Sequence, residues 1–216
     1  MKFYSFSKNL LVAIVPFLLV LIVLKVTIFN VGFYSEEFSK YNVEKNVKDP
    51  VSLNQNVLEF IQGKPILLSN EFNEREKLHL EDVRSLISPL TTLMYSLAVV
   101  FIAVLAVSIS KIKKGNEIAG FVGKISLHGG ILAIAISLLL FFSAALDFGS
   151  FFDSFHRMFF EEGTYLFDPS SEVIVRLYPE NLFVDLGIVI SRNIMLASAA
   201  IILAGSCLLF KSKRKS

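Results

Sequence analysis

The sequence predicts an α-helical membrane protein with four transmembrane helices and a small α+β extracytoplasmic cap. Three observations support this fold class. Hydrophobic residues make up 54% of the 216 residues, and the mean hydropathy is +0.62, as is typical of a polytopic membrane protein. Four apolar runs approach or exceed the roughly 20 helical residues that cross a bilayer. Most of the charged residues lie between these runs.

The four runs are Leu10–Leu24 with its continuation to Phe29, Ser85–Ser110, Ile125–Leu146 and Leu186–Phe210. The first run follows a basic start, as in a signal peptide. No small-residue cleavage site follows it, so we predict that it is retained as a helix.

The runs and their connectors divide the chain into eight predicted segments. The membrane-spanning ones are an N-terminal segment with helix 1 at 1–29, helix 2 at 85–110, helix 3 at 125–147 and helix 4 at 184–210. The others are a first cap segment at 30–84, a cytoplasmic connector at 111–124, a second cap segment at 148–183 and a basic tail at 211–216. We expect the two cap segments to pack together.

The distribution of basic residues predicts the orientation. The N-terminal end, the 111–124 connector and the 211–216 tail carry 2, 4 and 4 Lys or Arg, whereas the two cap segments carry 10 and 6 acids. Short basic segments stay in the cytoplasm. Both chain ends are therefore predicted to be cytoplasmic, and the cap segments extracytoplasmic. The net charge of +2 gives no indication of a nucleic-acid partner.

The first cap segment contains two predicted helices. In 52-SLNQNVLEFIQG-63, Ser52 begins a capping-box spacing and Gly63 is a typical helix end. A second helix is predicted to begin at Asn73, because Glu76 follows three residues later.

The second cap segment begins with a Phe-rich stretch, 151-FFDSFHRMFFEEGTYLFDP-169. The helical spacing of its Phe residues predicts a short interfacial helix at 150–161 that ends near Gly163. Alternation in TYLFD-PSS-EVIVRLY predicts a β-hairpin over 164–178, and Ile66–Leu68 is predicted to be another short strand. These strands are the reason for expecting an α+β cap.

Two of the three histidines, His79 and His156, are predicted to lie outside the membrane and close to its surface. His79 lies on a helical stripe that continues into the second transmembrane run. His156 shares a helix face with Phe152, Phe159 and Phe160. Two imidazoles in such surroundings can divide the roles of general base and general acid.

Charged neighbours favour a functional role over two unrelated cap histidines. Asp82 and Asp153 each lie three residues from a histidine, within reach of its ring. Arg192 interrupts the fourth run, about 10 Å along the helix from Asp185. A charge at that depth either faces a cavity, where it can bind an ester carbonyl or oxyanion, or pairs with a nearby acid.

Other chemistries have weaker support. The two histidines with Asp82, Glu161 or Glu162 offer a two-His, one-carboxylate metal site, but no metal-binding motif accompanies them. No GxSxG motif marks a nucleophilic Ser. Cys207 is the only cysteine, so no disulfide can form within the chain. A non-catalytic lipid-binding or assembly membrane protein and a metal-dependent membrane hydrolase stay open as alternatives, and a channel or transporter has the least support.

Three stretches together resemble one known family: 73-NEREKLHLEDVRSL-86, 155-FHRMFFEEGTYLFDP-169 and 178-YPENLF-183. With the four-helix layout, they resemble the integral membrane family of the lipoprotein intramolecular transacylase over most of the chain. The resemblance implies four transmembrane helices beneath an extracytoplasmic cap, in the bacterial plasma membrane.

The resemblance also implies an activity. The α-amine of a lipid-modified N-terminal Cys attacks the sn-2 ester of its own diacylglyceryl group, which leaves a lyso-form lipoprotein. The family's two catalytic histidines fall on His79 and His156. No cofactor and no metal are implied. The expected partners are a diacylated bacterial lipoprotein and membrane lipid, with no nucleic acid and no obligate protein partner.

This chemistry agrees with the residues. A unimolecular transfer needs no nucleophile from the protein, but it needs a base, an acid and a pocket that brings two parts of one lipid together. We therefore predict His79 and His156 as the catalytic pair. The predicted orienting or accessory residues are Asp82, Asp153 and Arg192. The predicted acyl pocket consists of Phe152, Phe155, Phe159, Phe160 and Tyr165.

Overall fold

The structure, a computed structural model, describes residues 2–160 and 164–214. Its helices are α1 Lys2–Ile28, α2 Val31–Lys40, α3 Pro50–Ile61, α4 Glu74–Ser110, α5 Gly115–Leu146, α6 Phe148–Phe159, α7 Val173–Leu177 and α8 Glu180–Arg214. A 3-10 turn, Val43–Lys45, lies between α2 and α3. The described residues contain no β-strand, so the prediction of an α+β cap is wrong.

Within the described ranges, four helices are long and apolar enough to cross a membrane, namely α1, α4, α5 and α8. They agree with the four predicted transmembrane helices. Large apolar side chains on them are exposed, among them Phe17 at 58% and Leu203 at 67%. Such exposure is expected where lipid covers the helix.

The chain forms two compact units. The first comprises the described parts of Met1–Leu24, Thr92–Phe142 and Ile190–Ser216. The second comprises Lys25–Thr91 and the described parts of Ser143–Val189. The second unit contains α2, α3, α6 and α7, and it holds both predicted catalytic histidines.

Within the first unit, α5 and α8 approach so closely that only small residues fit between them. Gly123 and Gly130 on α5 face Gly205 and Ser198 on α8, respectively. A Cβ atom on Gly123 would lie 2.9 Å from the carbonyl oxygen of Gly205, and one on Gly130 would lie 3.2 Å from that of Ser198. The matched seven-residue spacing on two antiparallel helices keeps these residues on the shared face.

In the second unit, α3 begins earlier than predicted. Asp49 is its N-cap and accepts a hydrogen bond from the N–H of Ser52 at 3.2 Å, while Pro50 occupies the first turn. The predicted capping box at Ser52 is therefore wrong. The predicted end is confirmed, because Gly63 follows the helix with a φ of +89° and donates its N–H to the carbonyl of Phe60.

The predicted strand at Ile66–Leu68 is absent. Instead, the side chain of Asn56 donates to the carbonyl of Leu67 at 3.0 Å and accepts from the N–H of Ser69 at 2.9 Å. One amide side chain thus takes the backbone groups that a neighbouring strand would pair.

The predicted hairpin over 164–178 is also wrong. Its second half forms the helical turn α7, with Ile174 and Leu177 buried. These two residues are three apart, which suits one side of a helix. In so short an apolar run the alternating pattern did not distinguish helix from strand.

The helix α6 begins two residues before the predicted start at 150. Asp147 is its N-cap and accepts hydrogen bonds from the N–H of Ser150 at 3.1 Å and from its hydroxyl at 2.6 Å. Outside the described residues lie the predicted stop, Gly163, and the two candidate metal ligands Glu161 and Glu162.

Candidate active site

The first predicted catalytic histidine, His79, lies in the second turn of α4, before the apolar run that begins at Ser85. The predicted helix start at Asn73 is confirmed by a reciprocal capping box. The side chain of Asn73 accepts from the N–H of Glu76 at 2.9 Å, and the Glu76 carboxylate accepts from the N–H of Asn73 at 2.7 Å. The imidazole that follows one turn later is buried, with 7% of His79 exposed.

The second histidine, His156, lies in the last turn of α6 and is also buried. Its Nδ1 donates to the carbonyl oxygen of Phe152, one turn earlier, at 2.7 Å. The predicted orienting residue, Asp153, instead forms an ion pair with Arg157 at 2.8 Å. A backbone carbonyl, and not the Asp153 carboxylate, therefore fixes the orientation of this ring.

The structure brings the two histidines together within the second unit. The imidazole centroids of His79 and His156 are 6.2 Å apart, and the ring planes are inclined by only 19°. The rings are thus stacked. At a separation of more than about 10 Å, two imidazoles could not act on one substrate group, even through a water molecule, and this pair lies well within that limit.

Four of the five predicted pocket residues surround this pair. Phe160 contacts both imidazoles, with centroid distances of 4.8 Å to His79 and 5.3 Å to His156. The other contacts are with His156: Phe152 at 4.1 Å, Tyr165 at 5.0 Å and Phe155 at 5.6 Å. The fifth residue, Phe159, is 47% exposed and packs on Phe155 at 4.9 Å.

One aromatic residue of the site was missed by the sequence reasoning. The ring of Phe167 meets His79 edge-on at 5.3 Å. Phe167 fell within the predicted hairpin, where its partner in space could not be assigned. The sequence did offer one indication of its place in the site, because Phe167 lies only two residues after the predicted pocket residue Tyr165.

Two predicted accessory residues do not join the pair. Asp82 is exposed on α4 and makes no hydrogen bond or ion pair with either histidine among the residues that the structure describes. Arg192 belongs to the first unit, where it is exposed on α8.

Burial shifts the protonation of both imidazoles towards the neutral form. It lowers the pKa of His79 from 6.5 to about 4, with a smaller contribution from the charge that His156 acquires on protonation. Burial also lowers the pKa of His156. The hydrogen bond to the Phe152 carbonyl and the charge of Asp153 raise this pKa and offset part of the effect of burial. Burial therefore favours the neutral form of both rings at pH 7, whereas the Phe152 carbonyl and the Asp153 charge favour protonation of His156.

The hydrogen bond of His156 also fixes its tautomer. A carbonyl oxygen only accepts, so the proton of the neutral ring lies on Nδ1 and the lone pair lies on Nε2. The lone pair on Nε2 of His156 is thus placed among aromatic rings as a proton acceptor. In the part of the chain that the structure covers, no group of three or more His, Cys, Asp or Glu side chains is placed to hold a metal ion.

The family model of the lipoprotein intramolecular transacylase Lit matches residues 9–183. The chain belongs to this family. The matched range includes both histidines and the aromatic residues around them. No functionally curated protein matches the chain.

Three solved structures of the membrane integral lipoprotein intramolecular transacylase Lit from Bacillus cereus are similar to this fold. The first has a TM-score of 0.82 and 19% identity over 99% of this chain and 98% of the other. A variant with a histidine replaced by arginine has a TM-score of 0.82 and 17% identity, over 99% of this chain and 95% of the other. A second variant, with a histidine replaced by alanine, has a TM-score of 0.77 and 20% identity, over 99% of this chain and 96% of the other. This similarity shows that the family fold spans nearly the whole chain.

Proposed function

We propose that this protein is a lipoprotein intramolecular transacylase. It moves the sn-2 acyl chain of a diacylglyceryl-Cys lipoprotein to the α-amine of the same cysteine, which gives the lyso-form. Family membership supports the reaction class. The observation that carries the proposal is the stacked pair of buried imidazoles, His79 and His156, in an aromatic pocket.

In this proposal His156 is the base. The substrate's amine nitrogen attacks the ester carbonyl, so a C–N bond forms and the amine releases a proton. Nε2 of His156 accepts that proton, since its Nδ1 proton is held by the Phe152 carbonyl. When the ester C–O bond breaks, the imidazolium returns the proton to the glyceryl oxygen. The nearby charge of Asp153 stabilises the imidazolium in between.

His79 is the neutral hydrogen-bond donor of the pair. Its low pKa keeps it from acting as a charged acid at pH 7. Its Nδ1 is buried and has no hydrogen-bond partner among the described residues. A buried lone pair is better tolerated than a buried N–H without an acceptor, so the proton is assigned to Nε2. From there it donates to the ester carbonyl oxygen as negative charge develops.

The aromatic rings supply the rest of the proposed site. Phe152, Phe155, Phe160, Tyr165 and Phe167 exclude water from the imidazoles and offer apolar surface to acyl chains. Phe159, exposed at their edge, extends that surface. Asp82 and Arg192 stay accessory residues on the sequence argument alone.

We also propose the location in the membrane. The site lies on the extracytoplasmic side of the bacterial plasma membrane, and both chain ends are cytoplasmic. The support is the concentration of Lys and Arg in the short segments at the other ends of the apolar helices. A diacylated lipoprotein held in the outer leaflet reaches the histidines from that side.

The direct test is acyl transfer on a synthetic diacylated lipopeptide in detergent micelles. The total mass does not change, so tandem mass spectrometry must place the second acyl chain on nitrogen or on the glyceryl group. We expect His156→Ala and His79→Ala each to reduce the N-acyl product by about 100-fold or more. Full activity in the double variant would rule out the proposal.

A matched control is present in the chain. His128 on α5 also bonds through Nδ1 to the carbonyl four residues earlier, that of Lys124, at 2.7 Å. It is exposed and belongs to the first unit. We expect His128→Ala to retain wild-type activity, which separates loss of a catalytic imidazole from loss of a helix-bound one.

A further inference from the structure

Two carboxylates of the second unit are buried and take no part in the proposed reaction. Glu76 is 1% exposed and Glu172 is 5% exposed. Acidic side chains are rarely so buried unless hydrogen bonds or charges compensate for the lost water. The partners of each carboxylate therefore indicate its role.

Glu76 serves the N-termini of two helices. One carboxylate oxygen accepts from the N–H of Asn73, at the start of α4, and the other accepts from the N–H of Ile174, in the first turn of α7, each at 2.7 Å. Helices leave these N–H groups without internal partners, and the local positive charge favours a carboxylate. Glu76 therefore ties the start of α4 to the start of α7.

Glu172 holds the segment that leads into α7. One oxygen accepts from the N–H of Asp168 at 2.6 Å. The other faces α4, with the amide of Asn73 at 3.5 Å and the guanidinium of Arg75 at 3.6 Å. The segment between residues 168 and 172 is thereby closed on itself and joined to the first turn of α4.

The segment that these carboxylates hold carries the aromatic cover of both histidines. The ring of Tyr165 lies 5.0 Å from His156, and that of Phe167 lies 5.3 Å from His79. The guanidinium of Arg75 lies 5.0 Å from the Phe167 ring, so Arg75 bridges the ring and the Glu172 carboxylate. Two aromatic residues of one segment thus cover the two histidines, Tyr165 covering His156 and Phe167 covering His79.

We propose that Glu76 and Glu172 form a carboxylate clamp, which holds residues 164–172 against α4 so that Tyr165 and Phe167 cover the two imidazoles. Both are positioning residues and act through the rings. When the clamp is weakened, the segment opens, water reaches His79, and the imidazole becomes easier to protonate. The catalytic consequence rests on the proposed transacylase activity, whereas the placement of the segment does not.

The variants Glu76→Gln and Glu172→Gln test the clamp in the full-length protein in detergent. An amide keeps one acceptor oxygen but loses the charge and places a donor beside backbone N–H groups. The control is Glu74→Gln, since this side chain is 89% exposed in the same turn of α4.

Three readouts are expected to move together in the clamp variants. Hydrogen exchange at the amides of Ile174 (in Glu76→Gln) and Asp168 (in Glu172→Gln) should accelerate by about tenfold or more. The pKa of His79, followed by NMR, should rise from its low value towards 6.5. The acid limb of the activity profile reports protonation of the base His156, and it should also move to higher pH because Tyr165 no longer covers that ring. Glu74→Gln should leave all three as in the wild type.

A second variant keeps the proposal testable if Glu76→Gln does not fold. Phe167→Leu removes the ring and leaves both carboxylates, so it should raise the pKa of His79 while the Asp168 and Ile174 amides stay protected. Unchanged exchange and an unchanged His79 pKa in Glu172→Gln would overturn the clamp. Since neither readout requires turnover, a failure of the transacylase proposal is distinguishable from a failure of this one.

Discussion

At the scale of single residues, two chemically identical side chains are made unequal by one hydrogen bond. His156 has a carbonyl acceptor for its Nδ1 proton, whereas Nδ1 of His79 has no partner among the described residues. Aromatic rings surround both, and burial favours the neutral form of each. In the proposed reaction, this difference in hydrogen bonding is the reason for giving proton transfer to His156 and oxyanion stabilisation to His79.

The buried neutral His79 makes stability depend on pH. Its pKa is about 4 in the folded protein, against 6.5 without burial. Between these values the unfolded chain binds the proton and the folded one does not, so stability rises with pH through this window and is complete above it. We expect His79 to account for up to about 3 kcal/mol of stability lost between pH 6.5 and 4.

Chemical unfolding in detergent across this range measures the effect. In His79→Phe, which retains an aromatic ring without a titrating group, the stability curve should be flatter by that amount. Equal slopes in the wild type and His79→Phe would contradict the low pKa.

The two histidines were singled out from the sequence because each stands in a local pattern. His79 follows a capping box and precedes an apolar run, and His156 stands among helically spaced phenylalanines. The contacts of Phe167 and Glu172 were not predicted, because their partners lie about 90 or more residues away in α4. Such long-range pairs have no local pattern from which to be inferred.

At the scale of helices, capping and small residues decide where elements begin and how closely they approach. The start of α4 was predictable because both partners of its capping box lie within four residues. The start of α3 was misjudged because Ser52 and Asp49 are both good caps, and Asp49 has an unusual φ of +49°. The α7 turn was misread because the N–H of its second residue, Ile174, donates to the distant Glu76.

The close approach of α5 and α8 makes Gly205 intolerant of a methyl group. A Cβ there would lie 2.9 Å from the carbonyl of Gly123 and from the N–H nitrogen of Leu127, both of which are backbone atoms. We expect Gly205→Ala to lower the unfolding free energy by about 1 to 3 kcal/mol. Gly187→Ala, on the same helix, meets nothing within 4 Å and is the control.

Thermal unfolding in detergent compares these two variants. We expect a lower midpoint for Gly205→Ala only, since Ala has the higher helix propensity and Gly187→Ala gains from it. A midpoint for Gly205→Ala at or above that of Gly187→Ala would show that α5 and α8 can move apart without loss of stability.

At the scale of the whole molecule, the four apolar helices and the charges between them predict which ends face the cytoplasm. The basic segments at 111–124 and 211–216 contrast with the acidic cap segments. This asymmetry in charge could be predicted from the sequence, because it depends only on how many charged residues each segment contains.

Cysteine labelling tests the orientation, and the chain is suited to it because Cys207 is its only cysteine. In a Cys207→Ser background, Glu44→Cys and Lys113→Cys each place one thiol at an exposed position. A membrane-impermeant maleimide should label the first in intact cells and the second only after permeabilisation. The reverse pattern would invert the proposed topology.

The Glu76–Ile174 hydrogen bond also sets when the site can come into existence during synthesis. Its partners are 98 residues apart, so α4 is made well before the segment that covers its histidine. At about 5 to 20 residues per second, the delay is on the order of 5 to 20 s. Until His156, Tyr165 and Phe167 have also been translated, a nascent chain carries His79 without its neighbour or its aromatic cover. In the proposed mechanism such a chain cannot transfer an acyl group. The proposed activity therefore begins only after the second cap segment, 148–183, has been translated.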